Sequence, residues 1–478
     1  MVRVIDRFIE VCDLKTLGFT RTTPAETGRP GYAPKPLVKL YVYGYENGIR
    51  SSRKLEKETK RNIEVMWLTE GLTPDHKTIA EFRRLNIRPL QKLLREFVKL
   101  CKSWDLIGGE LIAIDGSKIK ASNNKKNNFS RKKIDDRLLR IESKIKSYMD
   151  EIEYADKTEE AEQSADIEYL DQLEQLLSRK EQYKEYQKLL DESGENELST
   201  VDPDARLMGN NRGGVDVAYN VQSAVDGKHS IVIDFDVSTN PSDQHHLGTM
   251  VKKLKKALRL RRFKVLADKG YYNGKDLLRV KKLKVIAIVA KQRPSNPKDL
   301  PEEFRSEHFK YDESTDTYTC PAGHILSTPS KKAAKIRYLN KAACASCQHK
   351  AGCTRGKAKF RTITRGKHSK TYDEADKRFE ANKELYRRRQ EIVEHPFGTI
   401  KHSLHGGYFL LRTRRKVRAE VALLFLGYNL KRALNVLGFD AIMARLGSFT
   451  CSIFTLVLNI RLLLSFCQKY PDIKPLFS

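Results

Sequence analysis

Two short apolar runs close on an aspartate with glycine just beyond it: Ala113-Ile114-Asp115-Gly116 and Leu266-Ala267-Asp268-Lys269-Gly270. An aspartate at the end of a buried strand is pinned by the sheet and opened to solvent by the glycine turn. Hard carboxylate oxygens held in this way suit Mg²⁺ (or Mn²⁺), which takes one or two carboxylates and completes its shell with water and substrate phosphate. Asp also ends strands for turn chemistry alone; the matched pair is what favours a metal. A third acid is expected from the helical stretch Tyr386 to Lys401. Arg387, Glu394 and Lys401 are spaced by seven there, so they share a face if the helix continues through Pro396. Glu391 is the rival acid, and a solvated basic helix is the plainer reading.

A second constellation lies between the last two candidates. Cys320 is followed after 23 residues by Cys344-Ala345-Ser346-Cys347, and after five more by Cys353. Four thiolates with one tight C-x2-C pair suit structural Zn²⁺, with His324 and His349 as substitute ligands. The spacing is not that of a standard finger, and a buried or unliganded set is the alternative. Zinc would fold an insertion with too little apolar content to fold alone. From Lys331 to Lys370 there are 13 Lys or Arg and no Asp or Glu, and Arg412, Arg414, Arg415, Lys416 and Arg418 form a second basic patch. Phosphate contacts by such strips make affinity fall steeply with salt. The whole chain carries 90 Lys+Arg against 61 Asp+Glu, a net charge of +29. That balance fits a polyanion such as DNA better than a neutral small molecule.

The elements that must position these groups can be read from periodicity. Residues 1–105 read as helical: Leu37, Leu40, Tyr41 and Tyr45 have helical spacing. Ser51 and Ser52 are expected to cap a helix carrying Leu55, Ile63 and Trp67 to a core, and Thr78 to cap one bearing Ile79, Phe82, Arg83 and Arg84. Short helices ending in arginines suit helix-turn-helix docking on DNA, or equally an ordinary bundle with a charged face. Residues 111–114 read as a buried strand stopping at Asp115-Gly116-Ser117, and 122–131 as a loop. Ile134, Leu138, Ile141, Ile145, Tyr148 and Ile152 step by 4, 3, 4, 3 and 4, a heptad seam. After a polar break at Asp156 to Ser164, a second seam uses Ile167, Leu170, Leu173, Leu177, Tyr183, Tyr186 and Leu190, so a helical hairpin is expected at 125–200. Val215–Ala224 and Ser230–Val237 flank the turn Asp226-Gly227-Lys228 as a β-hairpin. Further strands are expected at 263–267 and 285–290. Residues 296–375 lack helical periodicity, and helices return from about Glu374 to Leu437.

With these motifs in order, the chain resembles bacterial insertion-sequence transposases of the DDE class. The N-terminal part does so in Gly28-Arg29-Pro30, Ser51-Ser52-Arg53-Lys54-Leu55-Glu56 and Pro74-Asp75-His76-Lys77-Thr78-Ile79. The core does so in Ile114-Asp115-Gly116-Ser117, Asp204-Ala205-Arg206, Tyr219-Asn220-Val221-Gln222, Ala267-Asp268-Lys269-Gly270-Tyr271 and Val393-Glu394-His395-Pro396-Phe397-Gly398. The resemblance implies an α/β, RNase H-like mixed sheet as catalytic core (106–440), with insertions at 125–200 (helical hairpin) and 296–375 (cysteine-rich, basic). A helical DNA-binding domain (1–105) precedes it, and an apolar tail (441–478) follows. It implies Asp115, Asp268 and Glu394 as a Mg²⁺-binding catalytic triad, with Tyr386, Arg389 and Lys401 on DNA. Related transposases often carry Tyr, two residues, Arg, three residues, Glu, six residues, Lys; four residues separate Arg389 from Glu394 here.

The expected activity is metal-dependent cleavage of transposon ends and strand transfer into target DNA. A non-catalytic DNA-binding relic, or a nuclease without strand transfer, is the alternative. A homo-oligomer is expected as the working form. Eight cysteines in 478 residues make no disulfide scaffold, and Met1 to Leu14 has no apolar signal core, so the expected compartment is bacterial cytoplasm. Asn459 and Arg461 interrupt the apolar run Phe449 to Cys467, which reads as a buried or oligomer-forming helix.

Overall fold

The computed structural model describes residues 1–22, 31–158, 163–210, 213–260, 262–292, 300–328, 335–354 and 358–448, with the side chains of 155–169 left aside. The Gly28-Arg29-Pro30 motif, the polar break at 156–164, Ile167 and the tail from 449 onward lie wholly or in part outside the described residues. Seven described helices open the chain: α1 (Val2–Val11), α2 (Leu14–Leu17), α3 (Pro34–Glu46), α4 (Ser52–Arg61), α5 (Ile63–Leu68), α6 (His76–Leu85) and α7 (Ile87–Ser103). Pro34 and Pro36 start α3, where a missing N–H costs nothing, and Leu37, Leu40, Tyr41 and Tyr45 are buried as their spacing predicts.

Three local expectations give way. Asn62 ends α4 and caps α5, its side chain accepting from the Glu64 and Val65 N–H groups. The break turns Ile63 and Trp67 outward, 82% and 51% exposed. Asp75 rather than Thr78 caps α6, its carboxylate accepting the Thr78 N–H at 2.6 Å, a cap worth about 1 kcal/mol. Arg83 turns inward over the Tyr41 ring, 5.7 Å from its centroid, so it does not stand on an outer DNA-facing surface with Arg84.

The central sheet follows: β1 (Leu111–Lys120), β2 (Asn128–Ser130), α8 (Arg131–Thr158), α9 (Gln163–Ser193), β3 (Glu197–Ser199), β4 (Arg206–Gly209), β5 (Val215–Asp226), β6 (Val232–Ser238), α10 (Leu247–Leu258), β7 (Lys264–Ala267), α11 (Gly274–Lys282) and β8 (Ile286–Val289). Six of these strands form one mixed sheet, in the order β4-β5-β1-β7-β8, with β6 also on β5. β5 runs antiparallel to β1, β4 and β6, whereas β7 runs parallel to β1 and β8. β1 does not stop at Asp115. It continues to Lys120 because β5 supplies partners along the whole length, Lys120 opposite Ala218 included.

Between β1 and β4 the chain leaves the sheet. β2 and β3 pair at the base of a hairpin formed by α8 and α9, whose core is Phe129, Ile134, Ile141, Leu176, Tyr183 and Leu190. The first heptad seam holds, with Leu138, Ile145 and Tyr148 packed on this core. The second holds at Tyr183, Tyr186 and Leu190 but not before them: Leu176 is buried, while Leu170 and Leu177 are 57% and 47% exposed.

The cysteine-rich stretch contributes β9 (Lys310–Asp312), β10 (Thr317–Thr319), β11 (Ile325–Leu326), β12 (Lys335–Leu339), α12 (Lys341–Ala345), α13 (Lys350–Cys353) and β13 (Thr362–Gly366). It forms small sheets over its own core of Phe309, Leu326, Tyr338 and Ile363. Part of its basic strip is engaged internally: Arg365 lies 2.5 Å from Asp373 and 3.6 Å over the Tyr311 ring, and Lys370 pairs with Glu313 at 2.7 Å.

Three helices close the described chain, α14 (Ser369–Glu380), α15 (Lys383–His402) and α16 (Arg414–Leu437). α15 runs unbroken through Pro396 and packs across β1, β5 and β7. α16 packs on α3, α7 and β6, and the sheet and N-terminal helices share one apolar core. A buried latch fixes this arrangement. Arg50, between α3 and α4, meets Glu420 of α16 at 3.0 Å, the two side chains 2% and 0% exposed, and also donates to the Tyr408 and His405 carbonyls. Among the described residues no helix is long and apolar enough to cross a membrane.

Candidate active site

The parallel register of β1 and β7 sets Ile114 beside Ala267, so Asp115 and Asp268 are the next residues on neighbouring strands. β7 ends there, and Asp268 leads into a 3₁₀ turn at Lys269–Tyr271. Asp115 remains within β1 and projects toward α15. Its carboxylate accepts the Gly116 N–H at 2.9 Å and lies 3.4 Å from Arg389 Nη1. Burial pushes the Asp115 carboxyl up to about 6; the Arg389 charge and the Gly116 N–H oppose that, and the negative charges of Asp243 and Asp268 add to it.

Arg389 is the centre of the helix side. Its guanidinium is 16% exposed and sits 5.8 Å from the Tyr386 ring centroid. Nε and Nη1 are buried with no hydrogen-bond partner among the described residues, an arrangement that leaves donors beside the acids. Burial raises the Tyr386 hydroxyl pKa, with Arg389 opposing and Asp268 adding. Burial lowers the Lys401 pKa, and the Asp115 charge offsets part of that. Arg389 thus meets Asp115 from the first half of α15, and Glu394 lies between Arg389 and Lys401 in sequence. Glu394 is exposed and accepts from Gln390 Nε2 at 2.8 Å. Arg387 points to solvent and pairs with Glu384 at 2.9 Å. In the basic patch, Arg412 and Arg415 are exposed, whereas Arg414 Nε donates to the Val237 carbonyl at 2.6 Å.

Behind Asp115 is a polar network that sequence reasoning did not find. Asp243 Oδ1 accepts from Asn220 Nδ2 and Gln222 Nε2, both at 2.8 Å, and Tyr271 donates its hydroxyl to Gln222. Gln222 stands opposite Gly116 and Ser223 opposite Asp115, so by strand alternation the network occupies the other face of the sheet. Gly116 is required there: a Cβ would come within 2.4 Å of Gln222 Nε2 and 2.5 Å of Asp243 Oδ1. The signal was Asn220 and Gln222, two amides at alternate positions of an otherwise apolar strand.

Cys320, Cys344, Cys347 and Cys353, with His324 and His349, line a single cavity of about 30 Å³. The His324 N–H donates to Cys320 Sγ at 3.3 Å. Burial raises the Cys353 thiol pKa; Arg361 opposes this, and the other three cysteines add to it. Among the described residues no group of three or more His, Cys, Asp or Glu stands close enough together to hold a metal ion. This holds for the carboxylates and the cysteines alike.

Residues 1–85 match a family model described as a transposase domain (DUF772), and residues 319–434 match a transposase DDE domain. Over these two segments the chain is similar to transposases. More narrowly, these matches support an insertion-sequence transposase of the DDE class, the family its motifs resemble. No curated protein matches the chain. The cryo-EM structure of a piggyBac transposase synaptic complex with hairpin DNA aligns over 94% of this chain and 82% of that chain, at 9% identity and a TM-score of 0.26. At that score the likeness carries no argument.

Proposed function

We propose that the chain cleaves transposon ends and joins them to target DNA, using Asp115, Asp268 and Glu394 as a divalent-metal-binding triad in an RNase H-like core spanning 106–440. The observation that carries this reading is the β1/β7 register, which makes Asp115 and Asp268 neighbours beneath α15. The donor set fits a divalent cation: hard oxygens only, with Asp115 pushed up to about 6, in part by the charge of its neighbours, as expected of acids awaiting a cation. When bound, the metal supplies charge neutralisation at the attacking and leaving oxygens of phosphoryl transfer. The chain's own contribution is positioning. Asp115 and Asp268 would hold the cation against one side of the scissile phosphate, Glu394 would complete the ligand set by turning from Gln390 toward Asp115, and Arg389 offers its buried donors to phosphate oxygens. Tyr386 and Lys401 flank that path, and Arg412, Arg414 and Arg415 extend the phosphate contacts. The antiparallel β1, β5 and β6 with parallel β7 and β8 support the RNase H-like reading of the sheet.

The test is an assay on DNA carrying the element's ends with Mg²⁺, comparing wild type with Asp268→Ala. Cleavage and joining are expected from wild type alone. Equal activity in both proteins refutes the triad, cleavage without joining leaves a nuclease, and no activity in either leaves a DNA-binding relic. A homo-oligomer acting in the cytoplasm belongs to the same reading.

A structural Zn²⁺ held by Cys320, Cys344, Cys347 and Cys353 is a second part of the proposal. Four thiols on one cavity, over a core of four buried residues, support a domain that needs a metal staple. Elemental analysis of the purified chain is expected to give one zinc, lost in a Cys344→Ser, Cys347→Ser double variant. Absence of zinc from wild type removes the proposal.

A further inference from the structure

α7 and α10 converge at the end of the sheet away from Asp268, and the groove between them, about 660 Å³, is lined by six cations: Arg95, Lys99, Lys102, Lys253, Lys256 and Arg259. The spacing of Arg95, Lys99 and Lys102 (four, then three) puts them on one face of α7. The walls are joined, because Lys102 Nζ donates to the Leu258 carbonyl at the end of α10. Two of the cations are engaged by acids, Lys99 with Glu96 at 2.8 Å and Lys253 with Asp236 at 3.2 Å. Arg95, Lys256 and Arg259 have no ion-pair partner within 4.0 Å among the described residues. The one acid in the lining, Asp234, is buried on the floor, and burial raises its carboxyl pKa against the charges of Lys253, Arg95 and Arg418. A helix face of lysines is ordinarily a solvated surface. Two such faces tied across a groove make a concave surface of one sign, which focuses the field on a polyanion.

The groove lies apart from the catalytic acids. Asp234 is adjacent to Phe235, which stands across Ser223 from Asp115, so Asp234 projects from the sheet face opposite Asp115. Arg259 precedes β7 and Asp268 follows it, with eight residues between them, the last four forming a strand roughly 13 Å long. We propose that this groove holds the phosphate backbone of a second stretch of duplex DNA, separate from the one being cut. The choice of DNA among polyanions rests on the transposase reading; the charge argument does not.

The test uses the full chain with Arg95→Ala, Lys256→Ala and Arg259→Ala combined, and a charge-keeping control with Arg95→Lys, Lys256→Arg and Arg259→Lys. Affinity is measured over a salt series for two duplexes, one of random sequence and one carrying an element end. In the alanine variant the slope of log affinity against log salt is expected to fall by up to about 2.7, or 0.9 for each phosphate no longer neutralised. The control is expected to keep the wild-type slope, and end cleavage to persist in both. A fall confined to the random duplex assigns the groove to target-like DNA; a fall on the end-bearing duplex as well assigns it to the element's own flank. Unchanged slopes on both duplexes, in a variant with wild-type melting temperature, overturn the proposal. A reduced slope in a chain whose wild type never cleaves leaves the groove standing and removes the catalytic reading.

Discussion

Asp115 is held where its own ionisation is unfavourable. Its carboxyl is raised from 3.8 to about 6, so the folded chain favours the neutral form. Its contribution to stability is present below the unfolded value and lost as pH rises through about 6, a cost of at most about 3 kcal/mol. Asp115→Asn, which cannot ionise, is therefore expected to melt at a higher temperature than wild type in chelating buffer at pH 8, with the gain shrinking toward pH 5. Calorimetry at both pH values checks this, and a variant less stable than wild type at pH 8 contradicts it. Asp115 and Asp268 were legible because each follows an apolar run and precedes a glycine. Asp243 was not, since its loop carries no pattern and its place depends on amides contributed by β5. The extra residue between Arg389 and Glu394 obscured Arg389 in sequence, yet Arg389 is the α15 side chain paired with Asp115.

Among the elements, periodicity served best where each piece packs mainly on itself. The α8 seam and the β5–β6 hairpin were readable because their partners are neighbours in sequence. The shift from Leu177 to Leu176 in α9 was not, because it depends on how one helix is rotated against another, nor was the outward turn of Ile63 and Trp67, which follows from the helix break at Asn62. The α8–α9 hairpin has a core distinct from that of the sheet, and β2 and β3 bring its two ends together. Replacing 131–193 with a short Gly/Ser link is therefore expected to leave the melting temperature of the remaining chain within a few degrees of wild type. Thermal unfolding followed by circular dichroism reads this directly; loss of the cooperative transition would mean that the hairpin supports the sheet.

At the scale of the molecule, the charge of +29 was visible at once. The sharing of one core by the N-terminal helices and the sheet was not, since it depends on α16 reaching back to α3 and α7. The Arg50–Glu420 latch is the polar counterpart of that packing. Arg50→Met takes from buried Glu420 the guanidinium it is paired with, a loss of about 3–5 kcal/mol, and its measure is the shift of the urea midpoint at constant m-value. A midpoint shift of under 1 kcal/mol equivalent would show that water reaches the pair.

The same latch sets an order of events on the ribosome. Arg50 leaves the exit tunnel 370 residues before Glu420, at chain growth of about 5–20 residues per second. For tens of seconds the apolar faces of α3 and α7 have no α16 to cover them, whereas the α8–α9 hairpin can close as soon as it emerges. The nascent chain is thus expected to finish its middle before its beginning, and a product released short of α16 to be handed to chaperones or proteases.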